Sequence, residues 1–250
     1  MMAEPASILT PAVLFLATVI RSAFGFGEAL VAVPLLALLI PVEVAAPVAV
    51  LVSITVAFIV VVQDWRKVHV RSALGLVLST MVGIPLGLML LRAVAEPVVK
   101  AILAVVIIAF SAQTFLSSVH RELKSDKFAW IFGFGAGVLG GAYGMNGPPL
   151  VIYGSLRGWS PQHFRATLQG YFLPASLAVM WGYRVAGLWT PAVNRYYLLS
   201  LPLVILATFL GRAINRRLDA QRFVRYVHGG LIAVGIILLL QAVTAPHAGH

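Results

Sequence analysis

The sequence predicts an all-α integral membrane protein made of two inverted repeats, each a re-entrant helical hairpin followed by three transmembrane helices. Three observations lead there. Of the 250 residues, 60% are hydrophobic and only 10% are charged. A soluble domain carries roughly 25% charged residues, so lipid has to cover this surface. A glycine-rich interruption then occurs twice inside apolar sequence, as Ser22-Ala23-Phe24-Gly25-Phe26-Gly27 and as Gly141-Ala142-Tyr143-Gly144-Met145-Asn146-Gly147. Finally, the Lys and Arg residues segregate to one side of the membrane when the two interrupted segments are drawn as hairpins.

The elements follow in chain order. The first ten residues hold no Lys or Arg and one Glu. They lack the basic start of a signal peptide, so the first apolar run is expected to belong to the mature protein. Residues 9–40 form the first hairpin, with arms at 9–20 and 28–40. Twelve or thirteen helical residues rise about 18–20 Å, against a hydrocarbon core of about 30 Å, so neither arm crosses alone. Three full spans follow at 44–62, 72–91 and 97–116, which closes a first repeat over 1–117. Residues 118–127 are the most polar stretch and form a cytoplasmic linker. The second repeat, 128–250, begins with a hairpin at 128–156 and continues with spans at 164–183, 196–213 and 223–243.

Charge selects between a hairpin and a single bent crossing. If every segment crosses, the basic residues divide about evenly between the two sides. With hairpins, one side collects Arg66 to Arg71, Arg121 to Lys127, Arg157, Arg165 and Arg212 to Arg225. The other side keeps Arg92, Lys100, Arg184 and Arg195. Such a bias is what the positive-inside rule demands, and it places both termini outside. Each half then crosses an odd number of times, so the halves run in opposite orientations. Trp65 and Trp189, Arg71 and Arg195, and Gly87 and Gly211 match at one spacing of 124 positions.

The net charge of +10 is read as orientation signal rather than as a nucleic-acid surface. There is no cysteine, which excludes disulfides, thiolate metal sites and a cysteine nucleophile. No histidine spacing suits a metal, and no phosphate-binding loop, Ser-His-Asp set or carboxylate pair is present. The sequence therefore predicts no enzyme, no cofactor and no ATP drive.

The chemistry lies at the two interruptions. A helix that starts in mid-membrane has N–H groups without partners and about half a positive charge at its tip. Lipid cannot satisfy those donors, but a compact anion can. Glycine lets backbone approach the ligand without a Cβ in the way. The candidate donors are the N–H groups of Gly27, Glu28, Ala29, Gly144, Met145, Asn146 and Gly147, with Gly25 shaping the first break. The competing reading is that these glycines serve only tight helix packing. Arg21 is a basic residue inside a hydrophobic segment, hence a candidate contact to an oxyanion; alternatively it pairs with Glu28 or reaches an interface. Glu28 is a candidate for proton coupling, or else a cap or the partner of Arg21. Asn146 can donate an amide hydrogen bond to a ligand or cap the arm that follows. Tyr143 and Phe24 are matched aromatics that suit packing or ligand contact. Gln169, with Tyr171, either lines a cavity or makes an interhelical hydrogen bond.

These residues resemble the sulfite exporter TauE/SafE family over nearly the whole chain. The resemblance rests on Gly25-Phe26-Gly27-Glu28-Ala29-Leu30-Val31-Ala32-Val33-Pro34-Leu35-Leu36, on residues 140–153 (Gly140 through the Gly144-Met145-Asn146-Gly147-Pro148-Pro149 core to Tyr153), and on Phe164-Arg165-Ala166-Thr167-Leu168. It implies a multi-pass permease of the cell inner membrane for sulfite, organosulfonates or related small anions. The first motif has fewer glycines than many members show, and it carries Glu28. Two mechanisms stay open at this point: a secondary transporter that alternates access, and an anion channel using the same helix tips as a filter. A homodimer is compatible with the sequence, although no face announces an interface.

Overall fold

Glycine and proline punctuate this chain more clearly than charge does, and the helix boundaries follow them. The computed structural model describes residues 4–64, 70–116, 128–157, 161–215 and 220–244. They form ten helices and, among the described residues, no strand. The helices are α1 (Glu4–Phe24), α2 (Glu28–Leu36), α3 (Val42–Asp64), α4 (Val70–Ala93), α5 (Glu96–Leu116), α6 (Ala129–Tyr143), α7 (Gly147–Leu156), α8 (Pro161–Val185), α9 (Pro191–Asn215) and α10 (Ala220–Thr244). Five stretches of described residues are long and apolar enough to cross a membrane: Pro5–Ala23, Val42–Val62, Leu74–Ala93, Glu96–Gln113 and Pro191–Ala213. Trp65 and the expected linker at 118–127 lie outside the described residues.

Several boundaries differ from the sequence expectation. The first arm was expected to be too short to cross, yet α1 has 21 residues and rises about 31 Å. Arg21 does not end it, because that charge is paired inside the protein. The helix stops where Gly25 turns left-handed at φ 87°. The second arm is shorter than expected: α2 has nine residues and gives way to turns over 37–39, ahead of Pro41. Likewise α6 runs through Gly140 and Gly141 to Tyr143, because those glycines pack rather than break. A Cβ on Gly141 would lie 2.4 Å from the Ile84 carbonyl oxygen of α4. α9 begins at Pro191 instead of 196. Proline suits the first helical turn, where its missing N–H is not needed, and Thr190 Oγ1 accepts from the Val193 N–H at 3.5 Å.

The helices pair across the two halves. α1 packs on α9 and α6 on α4, α5 on α10, and α3 on α8. Gly87 and Gly211 stand at equivalent contacts in the first two of these pairs. A Cβ on Gly87 would lie 2.1 Å from the Val138 carbonyl oxygen of α6, and one on Gly211 would lie 2.5 Å from the Val19 carbonyl oxygen of α1. Close backbone approach of this kind is how helices associate where lipid is the solvent. Large apolar side chains such as Ile131, Trp181, Leu206 and Leu240 stay exposed, as a lipid-facing surface requires. The interior holds buried polar residues, among them Arg21, Glu28, Ser53, Asn146 and Ser176. The broken arms α1–α2 and α6–α7 supply Arg21, Glu28 and Asn146, and the flanking α3 and α8 supply Ser53 and Ser176.

Candidate functional site

Both interruptions use the same backbone device. α1 closes with the left-handed Gly25, whose N–H donates to the Arg21 carbonyl at 2.6 Å. Two residues on, Gly27 adopts φ 98° and precedes α2, and the Val31 N–H returns to its carbonyl at 3.1 Å. α6 closes with the left-handed Gly144 (φ 66°), whose N–H donates to the Gly140 carbonyl at 2.8 Å. The next N–H, of Met145, reaches the Leu139 carbonyl at 3.1 Å. The Gly144 bond is the 5→1 bond of an αL cap, and together the two bonds satisfy orphan carbonyls at the end of α6. α7 then starts at Gly147, with Pro148 and Pro149 in its first turn.

The two breaks meet at one cavity of about 20 Å³. Phe26, Gly27 and Glu28 line it from the first break, and Gly144, Met145, Asn146 and Gly147 from the second. Arg21, Ser53 and Phe172 complete its wall. The volume suits about one water molecule, so the site as it stands is too small for an oxyanion. A second cavity of about 50 Å³ shares Arg21 and Phe172 with the first, and is otherwise lined by Ser22, Gly25, Val56, Ala57 and Val60. Arg21 and Phe172 thus separate two small chambers.

Arg21 is the electrostatic centre. It is 7% exposed, and Glu28 is 2% exposed. A charge buried this deeply has to be paired and hydrogen-bonded. Arg21 Nη1 donates to Glu28 Oε2 and also to Ser53 Oγ at 2.6 Å. Ser53 Oγ lies 3.3 Å from Ser176 Oγ, which ties α3 to α8. Thr18 Oγ1 donates to Glu28 Oε1 at 3.3 Å, one turn below Arg21 on α1. The guanidinium sits over the Phe172 ring, 4.9 Å from its centroid, a cation–π contact. Asn146 is 5% exposed and its amide nitrogen makes no hydrogen bond.

Of the residues expected at the site, Arg21, Gly27, Glu28, Gly144, Met145, Asn146 and Gly147 line the central cavity, and Gly25 lines its neighbour. Two expectations are corrected. The N–H groups of Gly144 and Met145 cap α6, which leaves those of Asn146 and Gly147 as the candidate donors of the second break. Tyr143 does not reach the cavity. It is fully buried and its hydroxyl donates to the Val99 carbonyl of α5 at 3.0 Å. Gln169 belongs to α8, but its side chain lies outside the described residues, as does that of Phe24. Tyr171 does not line the cavity; its hydroxyl is bonded to Thr80 Oγ1 at 2.7 Å and also lies beside the Asn146 side chain.

Sequence reasoning missed Thr18, Ser53, Phe172 and Ser176. The spacing of 124 that relates the other matched residues would pair Ser53 with Leu177, so it did not point to Ser176.

The fold and this centre define a polytopic helical membrane protein whose two interrupted helices converge on a buried cation–carboxylate pair. The family described as sulfite exporter TauE/SafE matches residues 11–238, and the chain belongs to that family, which places it among membrane transporters. It is 28% identical over 183 residues to a probable sulfite/organosulfonate exporter TauE of Cupriavidus necator, an alignment covering 73% of this chain and 71% of that protein. No solved structure matches the chain.

Proposed function

We propose that this chain is a secondary transporter that carries a small oxyanion, of the sulfite or organosulfonate class, across the cell inner membrane by alternating access. The observation that carries the reading is the convergence of both helix breaks and Arg21 on one small cavity. The relative from Cupriavidus necator, named as a probable sulfite/organosulfonate exporter, supports the substrate class and an outward direction. Arg21 offers the anion a charge-assisted contact. The tips of α2 and α7 offer backbone donors at Gly27, Glu28, Ala29, Asn146 and Gly147. Glu28, as the site's carboxylate, exchanges a proton as the anion comes and goes. The reciprocal pairing of α1 with α9 and α6 with α4 supports two inverted repeats that rock against each other.

The test is thermal stabilisation of the detergent-purified protein by a panel of solutes. A ligand at a hundred times its Kd stabilises the folded state by about 2.7 kcal/mol. Sulfite or a short sulfonate is expected to raise the melting temperature, and Arg21→Ala or Asn146→Ala to weaken that rise. Stabilisation by cations or neutral sugars alone defeats the reading. In proteoliposomes, uphill exchange of one anion against another identifies a carrier, and a purely ohmic current rejects it.

A further inference from the structure

The Arg21–Glu28 pair has a second meaning once its surroundings are considered. Glu28 is the one carboxylate, and Arg21 the one cation, among the described residues lining the central cavity. That cavity, at about 20 Å³, leaves no room for an oxyanion beside the carboxylate. Thr18, Ser53 and Phe172 are all engaged with the pair. Arg21 Nη1 serves Glu28 and Ser53, Phe172 covers the guanidinium, and Thr18 holds the other carboxylate oxygen. Across the cavity, the Asn146 amide nitrogen is buried beside the Tyr171 hydroxyl and makes no hydrogen bond of normal geometry. Buried donors of this kind are uncommon in folded proteins and ask for an explanation.

We infer that the Glu28 carboxylate occupies the substrate's own seat on Arg21, as a tethered anion that fills the site until an oxyanion displaces it. The inference rests on the anion-site reading above and adds a competitor to it. A carboxylate and a sulfonate or sulfite present the same chemistry to a guanidinium, namely paired oxygen acceptors sharing negative charge. Binding then requires Glu28 to swing off Arg21, and the swing enlarges the cavity and frees the anion to reach Asn146. Measured affinity is the intrinsic affinity reduced by the fraction of molecules in which Glu28 has let go. Thr18 is a positioning residue in this scheme, since it holds the carboxylate in place without touching the anion.

The experiment is calorimetric titration of sulfite, and separately of sulfoacetate, into the full-length detergent-solubilised protein at fixed pH and ionic strength. Glu28→Gln removes the competing charge and is expected to bind at least tenfold more tightly than wild type. Thr18→Val keeps the charge, loosens its anchor, and is expected to bind about threefold more tightly. Simple repulsion by Glu28 would leave Thr18→Val unchanged, so a tighter Glu28→Gln with an unaltered Thr18→Val overturns the competition. Should Glu28→Gln fail to fold, the Thr18→Val titration decides alone. If wild type binds and neither variant binds more tightly, the tethered anion is wrong and the anion site stands. If neither wild type nor either variant binds any of these anions, both readings fall.

Discussion

The two helix breaks share a backbone and differ in what holds them. Each ends its first arm with a left-handed glycine, Gly25 or Gly144. The first break adds a side-chain ion pair to its Gly25–Arg21 capping bond, with Arg21 before it and Glu28 after it. The second is closed by backbone bonds, from Gly144 to Gly140 and from Met145 to Leu139, and carries no charge. A side-chain ion pair can be exchanged for a ligand without unravelling a helix. A capping bond cannot be given up without fraying one. The pair of breaks therefore divides its labour: one side of the cavity is replaceable, and the other is a fixed wall.

Arg21→Gln attacks the replaceable side and has the largest expected effect. Removing one partner of a buried ion pair costs about 3–5 kcal/mol, because the other charge stays buried alone. Denaturant or thermal unfolding in detergent measures it, and the double variant Arg21→Gln with Glu28→Gln should recover most of the loss. An unchanged single variant would mean that the pair is not the closure of the first break.

Alanine at the two glycines compares the breaks directly. At Gly144 a Cβ would lie 2.8 Å from Val50 Cγ2 and 3.2 Å from the Ala46 carbonyl oxygen, at φ 66°. At Gly27, with φ 98°, the nearest atom would be Ile20 Cγ2 at 3.9 Å. Both variants bear a left-handed backbone cost of about 1–2 kcal/mol. Gly144→Ala adds overpacking of about 1–3 kcal/mol and should melt at the lower temperature. Equal melting temperatures would remove the distinction between a fixed wall and an open one.

Asn146→Ala gives the smallest change in stability. Its amide nitrogen has no bond to lose, so the folded protein should remain within about 1 kcal/mol of wild type. The stabilisation conferred by sulfite should nevertheless shrink. A large loss of stability without ligand would identify Asn146 as a cap of α7, and an undiminished sulfite effect would take the second break out of the anion's reach.

Much of the architecture was legible because lipid imposes long apolar runs. The stretches expected as spans all fall inside α3, α4, α5, α8, α9 and α10. The glycine breaks were legible as well, though not their limits. Gly141 reads as part of a break, and it stays helical because α4 packs against its bare backbone. The site was legible only in part. Arg21 and Glu28 stand out as charges in apolar sequence, whereas Thr18, Ser53 and Ser176 are small hydroxyls in helices that are apolar on every side. Such helices carry no amphipathic stripe to show which face turns inward. Tyr143 misled for the same reason, since its motif neighbours face the cavity and its own ring faces α5.

The amino-acid sequence alone determined that this chain lives in lipid, that its helices break at two glycine-rich points, and that a cation and a carboxylate flank the first of them. These are properties of composition and local backbone geometry, which act over a few residues. Only the tertiary structure decided that both breaks share one cavity, that Arg21 answers to Glu28 and Ser53 together, and that α3 and α8 meet through two serines. Pairing energies depend on distances between groups far apart along the chain, and those distances exist only once the helices have packed.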